Sequence, residues 1–253
     1  MKKHTISFLF IFLITGVLGC ASAPPIIQAS HAGDAARVTS LIASGADVNV
    51  ADSNGGTALY WATYQGSASV VRELLAAGAD PNIRTRRNST PLELTASRGG
   101  QTSIAIMLLE HGADPNVQSD NFGSTPLMLT VKYGYTEIAR ALLEKGANTG
   151  LKNHRGQTAL FSAAREGRVE IVQLILATGA DANTKTEAGF SAIYVASMNG
   201  HDDIVKLLLE AGADPNATAD VGGEKLPSTA LKVAQQGGHM AIVERLKAAG
   251  ARE

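Results

Sequence analysis

The sequence predicts an all-α fold, a solenoid of about seven helix-turn-helix repeats joined by hairpin-like loops. A Gly-Ala pair returns every 33 or 34 residues, with a last step of 38. Six of the pairs are preceded by a triplet that consists of a hydroxyl residue, then Ala or Pro, then Leu or Ile. A glycine lies nine residues after the hydroxyl residue of each triplet. A fixed period of this length indicates stacked repeats rather than one central core. The Gly-Ala pairs begin at Gly45, Gly78, Gly112, Gly146, Gly179, Gly212 and Gly250.

The clearest copy of the unit is Ser191–Asn216, SAIYVASMNGHDDIVKLLLEAGADPN. Ser191 is suited to cap a first helix, which Gly200 ends, and an amphipathic second helix follows. Gly212 accepts the left-handed conformation after a helix, and Pro215 prevents the helix from continuing. Each unit therefore reads helix, turn, helix, loop, and needs neighbours to bury its apolar side.

The triplets and the Gly-Ala-Asp endings resemble the ankyrin repeat family, whose pattern includes Thr-Pro-Leu-His and Leu-Leu before Gly-Ala-Asp. The resemblance covers about residues 27 to 251. The family's histidine, which hydrogen-bonds between neighbouring repeats, is replaced in every copy, so we expect stacking to depend more on apolar packing. The triplets begin at Thr57, Thr90, Thr125, Thr158, Ser191 and Thr229, and the histidine is replaced by Tyr60, Glu93, Met128, Phe161, Tyr194 and Lys232.

The first 19 residues are predicted to be a lipoprotein signal peptide. Lys2 and Lys3 precede a largely apolar run from residue 6 to 18, which is short for a membrane span and typical of a signal segment. The ending Val-Leu-Gly-Cys resembles a bacterial lipobox, which implies acylation of Cys20. An ordinary secretory signal with an incidental cysteine is the alternative. Cys20 is the one cysteine of the chain and has no disulfide partner. Ala21 in place of aspartate favours an outer-membrane lipoprotein facing the periplasm, if the host is Gram-negative.

Residues 20–26 then form a lipidated tether, and residues 27–253 form the repeat domain. The first repeat lacks the triplet and the last has a charged end, so we interpret them as the two caps. Repeat three has an extra residue around Gly99–Gln101, and the loop Ala217–Ser228 is five residues longer than its counterpart; both are read as neutral insertions or as functional loops. The predicted repeats are 27–51, 52–84, 85–119, 120–152, 153–185, 186–218 and 227–253.

No catalytic or metal-binding motif is found. The six histidines are scattered without metal-ligand spacing, and no nucleophile elbow, phosphate loop or dinucleotide fingerprint occurs. We therefore predict a protein that is not an enzyme and has no cofactor and no metal. The alternative is an enzyme with a polar site of His154, Arg155, Arg165 and Glu166.

The resemblance places target contacts at the loop tips before each triplet and at the two residues before the mid-repeat glycine, which together line a concave face. Arginine and aromatic residues are frequent there, and binding hot spots favour both, whereas acidic residues fall largely on the second helices. We expect a monomeric scaffold that binds an acidic protein partner, without nucleic acid, since the net charge is -1. An immunity protein against a toxin and a merely solvated face are the alternatives. The predicted contact residues are Tyr64, Arg86, Arg87, Arg98, Phe122, Lys132, Tyr133, Arg155, Arg165 and Phe190.

Overall fold

The computed structural model describes residues 23–99, 101–221 and 224–252. This part of the chain contains fourteen helices and two short strands. The predicted all-α fold of helix-turn-helix repeats is confirmed. The predicted signal segment and Cys20 lie outside the described residues. The helices and strands belong to two compact units, one ending at Pro91 and the other beginning at Leu92.

Unit 1 contains the first two repeats. The first helices of its repeats pack against each other, and so do the second helices. Ile27, Leu59 and Leu74 are fully buried between them, and burying one such side chain contributes about 1.5 to 3 kcal/mol. The helices are α1 (Pro25–Ala32), α2 (Ala35–Ala43), α3 (Ala58–Gln65) and α4 (Ala68–Ala76).

Unit 2 contains repeats three to seven. First helices of repeats four to seven pack side by side in one layer, and second helices of repeats three to seven in another. The large side chains Leu127, Ile138, Leu142 and Ile171 are buried between the layers. The helices are α5 (Pro91–Ser97, starting at the unit boundary), α6 (Thr102–Glu110), α7 (Pro126–Tyr133), α8 (Thr136–Glu144), α9 (Ala159–Arg165), α10 (Val169–Ala177), α11 (Ala192–Asn199), α12 (Asp202–Glu210), α13 (Ala230–Gln236) and α14 (Met240–Ala248).

The hydroxyl residues of five triplets cap their first helices, as predicted. Thr158 Oγ1 accepts a hydrogen bond from Phe161 N at 3.2 Å, and Ser191 Oγ accepts one from Tyr194 N at 3.4 Å. Such a cap contributes about 1 kcal/mol to helix stability. The glycines at the loop starts are left-handed, with φ of 82° at Gly212, which explains why glycine recurs there.

The loops between repeats are hairpin-like, as predicted, because a backbone hydrogen bond closes each of five of them. The distance is 3.0 Å from Asp52 N to Gly56 O. The loop of repeat four is one residue longer, since its closing bond joins Ser119 N to Ser124 O. The same bond in the other three loops joins Thr85 to Ser89, Asn153 to Gln157 and Thr186 to Phe190.

The long loop Ala217–Ser228 contains a β-hairpin. Its arms form strands β1 (Thr218–Val221) and β2 (Glu224–Thr229), which pair antiparallel with Thr218 opposite Thr229. In shorter loops the same pairing is a single bridge, as between Lys185 and Ser191. The five additional residues therefore lengthen a hairpin whose first rung is also present in two of the shorter loops.

Candidate functional site

In unit 1, the predicted contact residues Arg86 and Arg87 lie at an exposed loop tip. The backbone N–H of Arg86 donates to Asn54 O of the preceding loop at 2.8 Å. Gly55 allows this approach, because a Cβ there would lie 3.0 Å from Arg86 N, and its φ is 79°. The two loop tips of unit 1 are therefore held together by backbone contacts.

Tyr64 belongs to an aromatic cluster on the first helices of unit 1. The Trp61 ring contacts the His31, Tyr60 and Tyr64 rings edge-on, with centroids 5.1, 5.7 and 5.4 Å away. All four side chains are half-buried. Because the rings pack against one another, the cluster stabilises the two repeats and presents only part of each ring to solvent.

In unit 2, the loop tips of repeats four and five carry Phe122 and Arg155. Phe122 is 63% exposed, the largest exposed fraction among the large hydrophobic side chains that the structure describes. The Phe122 carbonyl oxygen accepts a hydrogen bond from His154 N at 2.9 Å. Arg155, which follows His154 in the chain, is exposed. The fixed backbone and the exposed ring together make Phe122 a pre-positioned apolar contact.

The C-terminal ends of the first helices in unit 2 lie next to each other and form a second surface, which we call the helix-end row. Asn199 Nδ2 donates to Arg165 O at 2.9 Å, and Arg168 Nε donates to Val131 O at 3.3 Å. These bonds connect the end of α11 to the end of α9, and the turn that follows α9 to the end of α7. The helix-end row consists of Lys132, Tyr133, Arg165, Glu166, Met198 and Asn199, which are exposed except for half-buried Arg165.

The helix-end row is less basic than the sequence alone suggested. Arg165 Nη2 lies 3.0 Å from Glu166 Oε1, and Arg165 Nε donates to the same oxygen. The Lys132 ammonium lies 5.1 Å from the centre of the Tyr133 ring, a cation–π contact. The row therefore combines a neutralised arginine, a lysine and two exposed apolar side chains, Tyr133 at 43% and Met198 at 46%.

The remaining predicted contacts, Phe190 and Arg98, are placed differently. Phe190 is half-buried, and its ring centroid lies 5.2 Å from that of Tyr194. The Phe190 N–H donates to Thr186 Oγ1 at 3.1 Å, so this residue closes its own loop. Arg98 is exposed at the end of α5.

Asparagine side chains link consecutive repeats across the loops, a role that the sequence analysis did not identify. Asn183 Oδ1 accepts from Asp214 N at 2.8 Å, and Asn183 Nδ2 donates to Gly212 O at 2.9 Å. The sequence signal was an asparagine four residues after the glycine of a Gly-Ala pair. Five of the first six pairs have this asparagine, and the remaining pair has Gly150 at the same position. Asn49, Asn116 and Asn216 make the same pair of bonds.

Residues that follow the mid-repeat glycine also bridge repeats. The His201 ring lies over Gly167, and its Nε2 is 3.2 Å from Arg165 O. The His239 ring covers Gly200 in the same way, since a Cβ on that glycine would lie 2.7 Å from the ring. Stacking therefore relies on recurring polar contacts as well as on apolar packing.

The described residues contain no group of three or more His, Cys, Asp or Glu side chains placed to hold a metal ion. In the same part of the chain, no helix combines the length and hydrophobicity needed to cross a bilayer.

Stacked helix pairs with joined loop tips define a helical repeat protein, a class that binds through extended surfaces. A model of three ankyrin repeats matches residues 26–119, 115–186 and 148–219, and a model of many ankyrin repeats matches residues 193–246. The chain belongs to the ankyrin repeat family.

One solved structure similar to this chain is the crystal structure of the ankyrin repeat domain of Bcl-3, described as a unique member of the IkappaB protein family. The two are 26% identical, the match covers 89% of this chain and 99% of that one, and the TM-score is 0.76. No curated protein matches the sequence.

Proposed function

We propose that this protein is a non-catalytic scaffold at the cell envelope, held there by acylated Cys20, and that it binds another protein through the loop tips and the helix-end row of unit 2. Ankyrin repeats in general bind other proteins. The observation that carries the proposal is the exposure of Phe122 on a loop whose backbone is fixed to the next repeat. Aromatic side chains held in this way bind at low conformational cost.

Two further observations support this surface. Three of the five exposed large hydrophobic side chains in the described residues, Phe122, Tyr133 and Met198, lie on the loop tips or the helix-end row. The other two, Ile106 and Met240, lie on second helices. Arg155 and Lys132 supply positive charge beside the apolar contacts, and neither takes part in an ion pair in the described part of the chain. An acidic partner is therefore complementary to the surface.

The anchor part of the proposal is supported by the sequence before the repeats. A positive start, a short apolar run and a lipobox-like ending precede Cys20. Ala23 is buried, and its carbonyl accepts from Gln28 Nε2 at 2.7 Å, so a fixed position lies three residues after Cys20 in the sequence. Three extended residues span about 10 Å. Acylation of Cys20 would therefore hold unit 1 close to the lipid surface.

A photo-crosslinking amino acid placed at Phe122 tests the binding surface in the native host. We expect one protein adduct from Phe122 and none from the matched control at Met240, which is 61% exposed but lies on α14. Denaturing electrophoresis and mass spectrometry identify the adduct. Equal adducts from both positions, or none from either, would show that Phe122 is not at the interface.

A further inference from the structure

We propose that the loop Arg84–Asn88 of unit 1, called the arginine loop below, binds a run of carboxylates on the partner. This inference rests on the proposed function, because it names the chemistry of one segment of the partner. Arg84, Arg86 and Arg87 are all exposed. In the residues that the structure describes, no carboxylate pairs with any of these guanidinium groups. Three like charges within four positions repel each other, and a bound polyanion removes that repulsion.

The arginine loop has a fixed backbone. Thr85 N donates to Ser89 O at 3.0 Å, and Asn88 N donates to Thr85 O at 2.8 Å. Arg84 Nη1 donates to the neutral side-chain oxygen of Asn88 at 2.9 Å, which orients Arg84 without neutralising it. With the bond from Arg86 N to the preceding loop, the loop presents its three cations from a fixed base. A fixed base reduces the ordering cost of binding.

The acidic residue of the preceding loop does not compete for these cations. Asp52 Oδ1 accepts from Asn54 N at 2.7 Å and from Gly56 N at 2.9 Å, and Asp52 Oδ2 accepts from Trp61 Nε1 at 2.8 Å. Both of its oxygens are therefore used inside unit 1. Asp52 therefore leaves the arginine loop available to carboxylates of another molecule.

The backbone of the arginine loop favours carboxylates over a phosphate group. Phosphate sites commonly use free backbone N–H groups of a loop or helix start. Here the N–H groups of Thr85, Arg86, Asn88 and Ser89 all donate within unit 1. The exposed side-chain donors are the guanidinium groups, which bind carboxylates in pairs of parallel hydrogen bonds. Three separate exposed forks suit several carboxylates along one segment.

The loops at the same position elsewhere lack this feature. At the two tip positions that Arg86 and Arg87 occupy, no other loop has two adjacent cations. The corresponding pairs are Ser53-Asn54, Asn121-Phe122, His154-Arg155 and Glu187-Ala188.

The probe is a fluorescein-labelled decaglutamate peptide, titrated with the full chain in mild non-ionic detergent at low ionic strength. Fluorescence anisotropy reports binding. We expect R86Q/R87Q to weaken the affinity about tenfold or more, since it removes two charge-assisted contacts. The control R37Q/R72Q removes the same net charge from exposed positions on α2 and α4 and is expected to change the affinity less than about twofold.

Three outcomes would overturn the inference. The first is the absence of binding to the unmodified chain. The second is an equal loss in both double variants, which would indicate attraction by net charge alone. The third is displacement of the peptide by inorganic pyrophosphate at lower concentration than by unlabelled decaglutamate, which would assign the loop to phosphate.

The crosslinking experiment at Phe122 separates this inference from the proposed function. A specific adduct at Phe122 together with failure of the decaglutamate titration rejects the arginine loop as a carboxylate site and leaves the scaffold function in place. If neither the Phe122 adduct nor binding of the decaglutamate peptide is observed, both the scaffold function and the inference are rejected.

Discussion

Single asparagine side chains connect most consecutive repeats, and one position lacks this contact. Gly150 stands where Asn49, Asn116 and Asn183 make their paired bonds to the next repeat. Gly150 N still donates to Asn148 Oδ1 at 2.9 Å, the same turn that Asn116 makes with an aspartate. The backbone therefore already has the conformation that an asparagine needs at this site.

Gly150→Asn is expected to stabilise the chain by about 1 kcal/mol more than Gly150→Ala does, the net contribution of one to two hydrogen bonds after side-chain ordering. The new side chain would bond Gly179 O and Asp181 N, the groups that correspond to the partners of Asn183. Gly150 lies outside the left-handed region, and its nearest neighbour to a Cβ is Asn148 Oδ1 at 3.3 Å. Urea-induced unfolding followed by circular dichroism measures the change.

The control variant Gly150→Ala separates two effects. Alanine makes no side-chain hydrogen bond, but it restricts the unfolded chain. That restriction alone contributes about 0.4 to 1 kcal/mol to stability. If the asparagine variant is no more stable than the alanine variant, the bridging role is wrong for this position.

At the scale of elements, one ion pair joins the second helices of the last two repeats. Arg245 Nε and Nη2 donate to Asp202 Oδ1 and Oδ2, each at 2.8 Å. Arg245 belongs to the charged end of the last repeat, and it contacts α12 of the preceding repeat. The hydrogen bonds from Arg245 hold the pKa of Asp202 below its usual value, against a smaller effect of partial burial that raises it.

Asp202→Asn is expected to destabilise the chain by about 0.5 to 1 kcal/mol at neutral pH, the range for a partly exposed pair. Because the pKa of Asp202 is lower in the folded chain than in the unfolded chain, its stabilisation is fully present above the unfolded pKa of about 3.9. The stabilisation is lost as the pH falls from there through the lower folded pKa. The difference between the two proteins should therefore disappear in strong acid.

Urea unfolding at neutral and acidic pH measures this difference, with Asp203→Asn as the control, because Asp203 is the exposed neighbour in the same helix turn. A stability difference for Asp202→Asn that stays constant with pH would contradict the role of the ion pair.

For the whole molecule, the proposed attachment to the envelope depends on one residue, Cys20. Cys20→Ser is expected to release the protein from the membrane fraction and to abolish incorporation of a clickable fatty acid. Several acyl chains hold a protein stably at about 0.8 kcal/mol per buried CH₂ group, whereas one chain is marginal. Fractionation of the host followed by immunoblotting measures the change.

Ala21→Ser is the matched control, since it alters the neighbouring residue and keeps the cysteine. If the Cys20→Ser protein remains in the membrane fraction and still incorporates the clickable fatty acid, Cys20 is not the anchor.

The sequence by itself determined the repeat number, the helix pairs, the helix caps and the hairpin loops. Each depends on interactions within a few residues, such as the bond of Ser191 to Tyr194 N, or on a conformation that one residue type prefers, such as φ of 82° at Gly212. Repetition then made a weak local signal strong. The positions of the predicted contact surface followed from the same register.

Only the tertiary structure decided which of those positions present charge or apolar surface. Arg165 is neutralised because the chain leaves α9 at Glu166 and brings the two side chains together. Phe122 is exposed at the tip of a loop that is one residue longer than its counterparts. Arg245 contacts a residue 43 positions away in sequence. The Arg245 contact depends on how neighbouring repeats pack, which no local pattern of residues specifies. The Arg165–Glu166 contact joins chain neighbours and depends on the backbone turn at the end of α9.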